Sequence, residues 1–206
     1  MSSSTDDARV VVLAGGYGGA KLSHGVALAA AASHPGVALD VIVNTGDDQE
    51  LHGLSVSPDL DTVMYTLAGL ANDETGWGVR DETWSTSAML ARYGADTWFQ
   101  LGDRDMATHI RRSQGLRDGR RLTEVTAELT AALGVPARLL PMTDDPVRTE
   151  VRTPDGWLEF QDYFVRRGQQ DEVLEIRRLG NEEARPTPEA RAAVKDAALI
   201  VIAPSN

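Results

Sequence analysis

Short apolar runs alternate with helical segments along the chain, and each run stops at glycine, proline or polar residues. The β-branched run at 9–14 ends at two glycines, which predicts a buried strand. Similar runs predict strands at 37–44, 137–140 and 199–203. Between the first two strands, the alanine-rich segment 20–32 predicts a helix. Strand, helix and strand in this order predict a βαβ unit with parallel strands and a right-handed crossover.

The rest of the chain predicts a helical middle and a hairpin. Helical patterning without a clear strand fills the centre, so a helical insertion is predicted at about 66–133. Pro154-Asp155-Gly156 predicts a hairpin turn, because Pro presets φ and Gly accepts positive φ. The remaining predicted elements are a polar loop at 45–57, a helix from Ser57-Pro58 to about residue 71, hairpin strands at 148–153 and 157–165, and a helix at 188–195.

Length and composition fit one globular domain. The chain has 206 residues, of which 42% are hydrophobic and 25% charged, so extended disorder is excluded as its main state. We expect a single α/β domain at 10–206, preceded by a disordered leader at 1–9 that is polar and acidic. No apolar run approaches the roughly 18 residues of a membrane span, and the acidic start is the reverse of a signal peptide. A cytoplasmic protein without a membrane partner is therefore expected.

The charge and the cysteine count exclude several function classes. The formal net charge of −11 argues against a nucleic-acid partner, because such a protein needs a basic face. A small anionic ligand stays open, since backbone amides bind phosphate locally even on an acidic protein. With no cysteine, the chain has no disulfide, thiolate nucleophile or cysteine-based metal site.

A glycine-rich turn follows the first predicted strand. Gly15, Gly16, Gly18 and Gly19 let backbone N–H groups approach a phosphate at the start of the first helix, where the helix dipole favours anions. Lys21 stands where a dinucleotide-binding turn would have its third glycine, so the motif is neither that fingerprint nor a P-loop. The alternative is a tight turn that needs glycine for its conformation alone.

Four aspartates lie on neighbouring segments after the second predicted strand. Asp47, Asp48, Asp59 and Asp61 offer the hard oxygen ligands that Mg²⁺ prefers. The alternative has two parts. Asp59 and Asp61 fall in the first turn of a helix, where acids meet the dipole favourably. Asp47 and Asp48 also suit an ordinary turn.

Two further segments carry candidate chemistry. Asp105, His109 and Arg112 share one helix face at positions i, i+4 and i+7. This face either brings an acid, a titratable imidazole and a guanidinium together for chemistry, or it is a solvated helix face with an ion pair. Met142, after the third strand, either shapes a pocket for an aromatic ligand or belongs to a plain turn. The sequence favours core positions over ligand platforms for the tryptophans at 77, 84 and 98.

Seven motifs in a fixed order resemble the 2-phospho-L-lactate transferase family of coenzyme F-420 biosynthesis. In bacteria, the enzyme that corresponds to this transferase looks like a phosphoenolpyruvate transferase. The resemblance covers nearly the whole chain from Val10, and Tyr17 departs from it by standing where the family usually has a small residue. The motifs are GGYGGAKL (15–22), NTGDD (44–48), SPDLDTVMY (57–65), LGDRDMATHIRR (101–112), LPMTDDPV (140–147), LEFQDYFVRR (158–167) and APSN (203–206).

The resemblance implies a fold and an activity. The fold would be a three-layer Rossmann-like α/β core with a mostly parallel sheet, a helical insertion and a β-hairpin. The enzyme would be a Mg²⁺-dependent phospho-acid transferase that takes phosphoenolpyruvate or 2-phospho-L-lactate from a guanosine diphosphate adduct. It would join this group to the deazaflavin Fo and release GMP. A homodimer stays open, and we expect the C-terminal part of the family to be missing from these 206 residues.

The resemblance also implies roles for individual residues. Asp47 and Asp61 would hold the metal and serve catalysis. The residues expected to bind Fo are Asp61, Gln100, Met142 and Thr143. The residues expected to bind phosphate are Gly15, Gly16, Gly18, Gly19, Lys21, Ser205 and Asn206. The alternative function is a nucleotide-sugar-binding regulatory protein of a related family, which has the glycine turn and the aspartates without the Fo chemistry.

Overall fold

The protein is built from a parallel sheet, six helices and two small antiparallel sheets in residues 8–204, which the computed structural model describes. The strands are β1 (Arg9–Ala14), β2 (Ala38–Val43), β3 (Gln49–Leu51), β4 (Leu54–Val56), β5 (Arg138–Pro141), β6 (Arg148–Thr153), β7 (Gly156–Glu159), β8 (Glu175–Leu179) and β9 (Leu199–Ile202). The helices are α1 (Gly16–Ser33), α2 (Pro58–Leu67), α3 (Ser85–Arg92), α4 (Asp103–Arg117), α5 (Leu122–Ala132) and α6 (Pro188–Lys195), with a short π-helix at Asp162–Arg166.

The central sheet has the strand order β5-β2-β1-β9, and all of its strands are parallel. In register, Val12 of β1 lies between Val41 of β2 and Val201 of β9. The chain moves outward from β1 through β2 to β5 and then returns to the other side of β1 at β9. This reversal makes a crevice at the carboxyl ends of β1 and β9, where open α/β sheets bind their ligands.

Helices cover both faces of this sheet. On one face, α1, α2 and α5 pack against the sheet around Val12, Val41 and Leu60. On the other face, Ala190 and Ala193 of α6 pack against Val11 and Leu140. The small residues of α6 allow its close approach to the sheet. The prediction of a three-layer, mostly parallel α/β core is therefore confirmed.

Several predicted elements need correction. The first helix begins at Gly16, four residues earlier than predicted, so most of the glycine-rich segment is its first turn. The predicted polar loop at 45–57 contains the hairpin of β3 and β4, whose turn has His52 and Gly53 at positive φ. Ser57 stands before α2 as predicted, but its hydroxyl donates to Asp48 Oδ2 at 2.8 Å instead of capping the helix.

The second antiparallel sheet also differs from the prediction. The strand predicted at 157–165 stops at Glu159, because the chain turns into the π-helix. The sheet gains a third strand, β8, which pairs with β6 and was not predicted. β6 is also bound to the loop after β2, since the Thr149 N–H donates to the Gly46 carbonyl at 2.7 Å.

The described residues cover only part of the predicted domain division into a leader, a domain and a helical insertion. The predicted leader at 1–9 lies outside the described residues except for Ala8 and Arg9, and Arg9 already belongs to β1. The predicted insertion at 66–133 contains α3, α4 and α5. Among residues 8–204, no helix combines the length and the apolar character that crossing a membrane requires.

Candidate functional site

One cavity of about 870 Å³ opens at the carboxyl ends of the parallel strands. Its floor is formed by the last residues of β1 and β2 and by the chain after β9. The residues that line it include Gly15, Gly16, Tyr17, Asn44, Asp47, Asp59, Asp61, Trp77, Trp98, Gln100, Met142, Phe160 and Phe164. The cavity therefore lies at the topological switch point of the sheet, the place where such folds bind ligands.

An acidic edge, which consists of Asp47, Asp59 and the amide of Asn44, borders the cavity beside the start of α1. The Asn44 side-chain amide donates to Asp59 Oδ2 at 2.9 Å and to Asp47 Oδ2 at 3.3 Å. A Cβ atom on Gly15 would lie 3.0 Å from Asp59 Oδ2, so the glycine leaves room for this carboxylate. The two carboxylates thus converge through one amide at the N-terminus of α1.

Burial perturbs both carboxyls of the acidic edge, and repulsion by Asp59 adds to the effect on Asp47. Burial, followed by the charge of Asp59, raises the pKa of Asp47 to about 6. Burial also raises the pKa of Asp59, although hydrogen bonds from Asn44 and from the Gly16 backbone oppose this shift. Two like charges held together at a cavity are relieved by a bound cation, and carboxylate oxygens suit Mg²⁺. The acidic edge therefore fits a magnesium ion.

A buried ionic cluster, which comprises Asp61, Tyr65, Asp105, His109 and Arg112, forms part of the cavity wall, and only Arg112 does not line the cavity. The Arg112 guanidinium donates to Asp61 Oδ2 at 3.0 Å and also to Asp61 Oδ1. His109 lies between the acids, with Nδ1 at 3.6 Å from Asp61 Oδ2 and Nε2 at 3.2 Å from Asp105 Oδ1. The Tyr65 hydroxyl donates to Asp105 Oδ1 at 2.7 Å. The helix face predicted for Asp105, His109 and Arg112 is thus real, and it is buried instead of solvated.

The neighbours of Asp105 in this ionic cluster favour its charged form. Burial raises the pKa of Asp105, but the contact with His109 and the hydrogen bond from the Tyr65 hydroxyl outweigh it and leave this pKa below its usual value. Ligand atoms of Asp61, Asp105 and His109 lie within 4.8 Å of one another, which is metal-like spacing. The guanidinium of Arg112 already supplies the positive charge at this place.

Aromatic side chains form the opposite, apolar wall of the cavity. Phe160 and Phe164 stack with ring centroids 5.4 Å apart and an interplanar angle of 19°. The π-helix carries Phe164, and such bulged turns often occur at functional sites. Trp98 and Trp77 also line the cavity. Trp77 is 44% and Trp84 40% exposed, so the prediction of core positions is wrong for these two tryptophans, and Trp98 is only partly buried.

The structure brings six of the site residues implied by the resemblance to this cavity and leaves four others, Gly18, Gly19, Lys21 and Thr143, away from its wall. Gly15, Gly16, Asp47, Asp61, Gln100 and Met142 line it. Thr143 is buried and donates its hydroxyl to the Arg185 carbonyl at 2.6 Å, while the Lys21 ammonium lies 4.1 Å from the Tyr17 ring centroid. Gly18 lies under Pro204 and Gly19 against Ala14. Ser205 and Asn206 lie outside the described residues.

Sequence reasoning missed two parts of the site. It did not connect Asp61 with Arg112, because the two residues are 51 positions apart and meet only through the packing of α2 and α4. It also did not assign Phe160 and Phe164 to a ligand wall, although their spacing of four residues was a signal that they share one helical face. Asn44 was part of a quoted motif, but its role in joining two carboxylates depends on the fold.

Comparisons with known proteins agree with this geometry. The family described as 2-phospho-L-lactate transferase CofD matches residues 10–206. Proteins named phosphoenolpyruvate transferase from Kitasatospora aureofaciens, Streptomyces griseus and Mycobacterium avium are 46%, 48% and 44% identical to this chain. Each match covers 96% of this chain but 62%, 63% and 65% of the respective relative. The chain therefore spans less than two thirds of the length of these relatives.

Two solved structures share the fold. Both are crystal structures of a UPF0052 family protein from Bacillus halodurans, with TM-scores of 0.59 and 0.63 at 15% and 16% sequence identity. The similarity covers 96% of this chain and 59% of those chains. It supports the architecture described above and nothing about ligands.

Proposed function

Because the chain belongs to the CofD family of 2-phospho-L-lactate transferases, we propose that its cavity transfers a phospho-acid to the deazaflavin Fo. The observation that carries the proposal is that the acidic edge and the aromatic wall face the same cavity. A planar, apolar acceptor ring needs the aromatic wall, and a diphosphate donor needs the helix N-terminus with a cation. One cavity offers both.

The donor's diphosphate is proposed to lie at the start of α1. Gly15 is extended and Gly16 has φ of +59°, and neither residue has a Cβ atom that would shield the backbone N–H groups of the first turn, while the Gly16 backbone bonds to Asp59. The carboxylates of Asp47 and Asp59 beside this turn would repel a diphosphate on their own. A magnesium ion bound there would neutralise charge on the phosphates and on the leaving group. Asp47 is proposed to hold this ion, with Asp59 and Asp61 as its other carboxylates.

The acceptor ring is proposed to lie against Phe160, Phe164 and Trp98, with Met142 and Gln100 at its edges. Aromatic faces of this kind bind planar rings by offset stacking. The ribityl chain of Fo would then point toward Asp61, which lines the cavity between the aromatic wall and the acidic edge. Asp61 is proposed to accept a hydrogen bond from the terminal hydroxyl.

The proposed reaction is a substitution at phosphorus. The terminal hydroxyl oxygen of Fo forms a bond to the phosphorus that carries the acid group, and the P–O bond to GMP breaks. The hydroxyl proton passes to a carboxylate, for which Asp61 and Asp47 are the candidates, and GMP leaves with the electron pair. Such transfers depend on positioning and on charge neutralisation more than on covalent help from the protein. The names of the curated relatives favour the enolpyruvyl group over the lactyl group.

Binding of Fo separates this proposal from the regulatory alternative. Fo fluorescence is titrated with the protein in the presence of Mg²⁺, and a uridine diphosphate sugar is titrated in parallel by calorimetry. We expect saturable Fo binding that weakens when Phe164 is replaced by alanine. The control is Tyr93, an exposed aromatic residue that does not line the cavity, and its replacement by alanine should leave Fo binding unchanged. Binding of the sugar nucleotide without binding of Fo would contradict the proposal and favour the regulator.

A further inference from the structure

We propose that Arg112 is a positioning residue that fixes the carboxylate of Asp61 at the cavity wall and acts through Asp61 alone. The inference rests on the proposed function, in which Asp61 accepts the hydroxyl of the acceptor. Asp61 lines the cavity, whereas Arg112 does not and is only 1% exposed. Arg112 is therefore separated from any ligand in the cavity by Asp61 and His109, the two lining side chains that it contacts.

The contact between the two side chains determines the plane of the carboxylate. Arg112 Nη1 and Nη2 donate to different oxygens of Asp61, in the two-pronged arrangement that only a guanidinium provides. Each carboxylate oxygen has a second lone pair, so Asp61 can still accept a hydrogen bond from the cavity side. The Arg112 side chain thus sets the direction in which Asp61 presents its free lone pairs.

Arg112 is in turn held by groups from α4 and β4. Its Nη1 donates to His109 Nδ1 at 3.3 Å and approaches the Ser55 carbonyl at 3.4 Å. A guanidinium can only donate, so His109 Nδ1 is the acceptor and the imidazole proton lies on Nε2, which faces Asp105. Tyr65 donates to the same Asp105 oxygen. The polar contacts therefore form a continuous chain that joins Tyr65, Asp105, His109, Arg112 and Asp61, in which Asp105 and Asp61 are the acceptors at its two carboxylates.

The charge of Arg112 lies beside three groups whose ligand atoms are within 4.8 Å of one another, namely those of Asp61, Asp105 and His109. The guanidinium is a fixed cation attached to α4, so the orientation of Asp61 is built into the fold and does not depend on what is bound in the solvent-facing part of the cavity.

A double-mutant cycle tests whether Arg112 acts only through Asp61. The variants are Asp61→Asn, Arg112→Met and the double variant, with Arg121→Met as the matched control. Arg121 is an arginine of the same domain that is paired with Asp144 and Glu189 and does not line the cavity. Fo affinity, KM and kcat are measured for each variant and are normalised to the folded fraction from circular dichroism.

We expect Arg112→Met to lower kcat by about tenfold or more when Asp61 is present, because a misdirected group loses much of its effect on the transition state. In the Asp61→Asn background the same change should alter kcat by no more than about twofold, since interactions that operate through one residue are not additive. Arg121→Met should leave kcat and KM at the wild-type values. The double variant removes both charges of the Asp61–Arg112 pair together, so neither of these two charges is left without its partner. Arg112→Lys, which keeps the charge but loses the two-pronged contact, replaces Arg112→Met if the latter does not fold.

The outcomes distinguish this inference from the proposed function. Equal losses of kcat in both backgrounds would overturn the positioning role and leave the proposed function standing. Wild-type kcat in Asp61→Asn would refute the role of Asp61 and with it that of Arg112. A wild-type protein that binds no Fo would overturn both.

Discussion

Asp48 predicts a pH dependence of stability that can be isolated by one substitution. Its carboxyl lies behind the acidic edge, where it accepts a hydrogen bond from Ser57, and its Oδ1 is buried without a hydrogen-bond partner among residues 8–204. Burial raises the pKa of Asp48 to about 7, although the Ser57 hydrogen bond and the charges of Arg112 and Arg148 oppose this shift. The folded protein thus holds a proton on Asp48 that the unfolded chain has already lost.

The size of the effect on unfolding free energy follows from the difference between the Asp48 pKa in the folded protein and in the unfolded chain. A folded pKa of about 7 against the ordinary value of 3.8 corresponds to about 4 kcal/mol, at 1.36 kcal/mol for each pKa unit. The folded pKa is raised, so this stability is fully present below pH 4 and is lost as the pH rises through 7. Asparagine carries no proton to lose and keeps the acceptor for Ser57. Asp48→Asn should therefore be more stable than wild type at pH 8, by up to about 4 kcal/mol.

Urea unfolding at pH 5 and pH 8 measures this effect. The difference in unfolding free energy between Asp48→Asn and wild type should grow by about 3 kcal/mol between these pH values. The reason is that wild type loses about 1.36 kcal/mol for each pH unit up to the folded pKa of about 7, which is about two pH units above pH 5. Asp47 titrates in both proteins and cancels in the difference. Asp196→Asn, at an exposed position after α6, is the control and should show no such growth. A variant that is less stable than wild type at pH 8, or whose difference is the same at both pH values, would refute the reasoning.

Three further predictions follow from the same geometry. Mg²⁺ affinity should fall by about tenfold between pH 7 and pH 5, because Asp47 with a pKa of about 6 becomes protonated, and calorimetry with Asp47→Asn should show a weaker affinity that changes less over this interval. Gly18→Ala should destabilise the fold by about 1–3 kcal/mol in thermal melts, because its Cβ would lie 2.9 Å from the Pro204 carbonyl oxygen; unchanged melting would contradict this contact. Trp98→Ala should weaken Fo binding by about 0.5–1.5 kcal/mol in fluorescence titrations, whereas wild-type affinity would remove Trp98 from the acceptor site.

The parallel core could be predicted from the sequence because its local signals agree with its tertiary environment. β1 at Arg9–Ala14 and α6 at Pro188–Lys195 were predicted with their observed bounds. Strands that are buried on both faces give continuous apolar runs, and Pro at the first helical position marks the start of α6. The β3–β4 hairpin was missed because its strands have only three residues each and lie within a polar segment.

The candidate site could be predicted only where it follows strand ends. Gly15 and Asp47 come directly after β1 and β2, and parallel strands bring such residues to the same edge of the sheet. The pairing of Asp61 with Arg112 depends instead on how α2 packs near α4, and no local pattern encodes that contact. The aromatic wall depends on the π-helix, which carries Phe164. The sequence instead predicts a strand at 157–165, so it does not place Phe164 on a helical turn.

The central claim is that this cavity joins Fo to a phospho-acid with the loss of GMP, and coupled product analysis tests it most directly. The protein is incubated with Fo, Mg²⁺ and guanosine diphosphate-linked phosphoenolpyruvate, and Fo consumption, GMP and the Fo adduct are measured together by mass spectrometry. The account predicts one GMP and one phospho-acid adduct for each Fo consumed, with neither product formed when Fo or Mg²⁺ is omitted. Release of GMP at the same rate without Fo, or saturable Fo binding with no adduct formed, would contradict it.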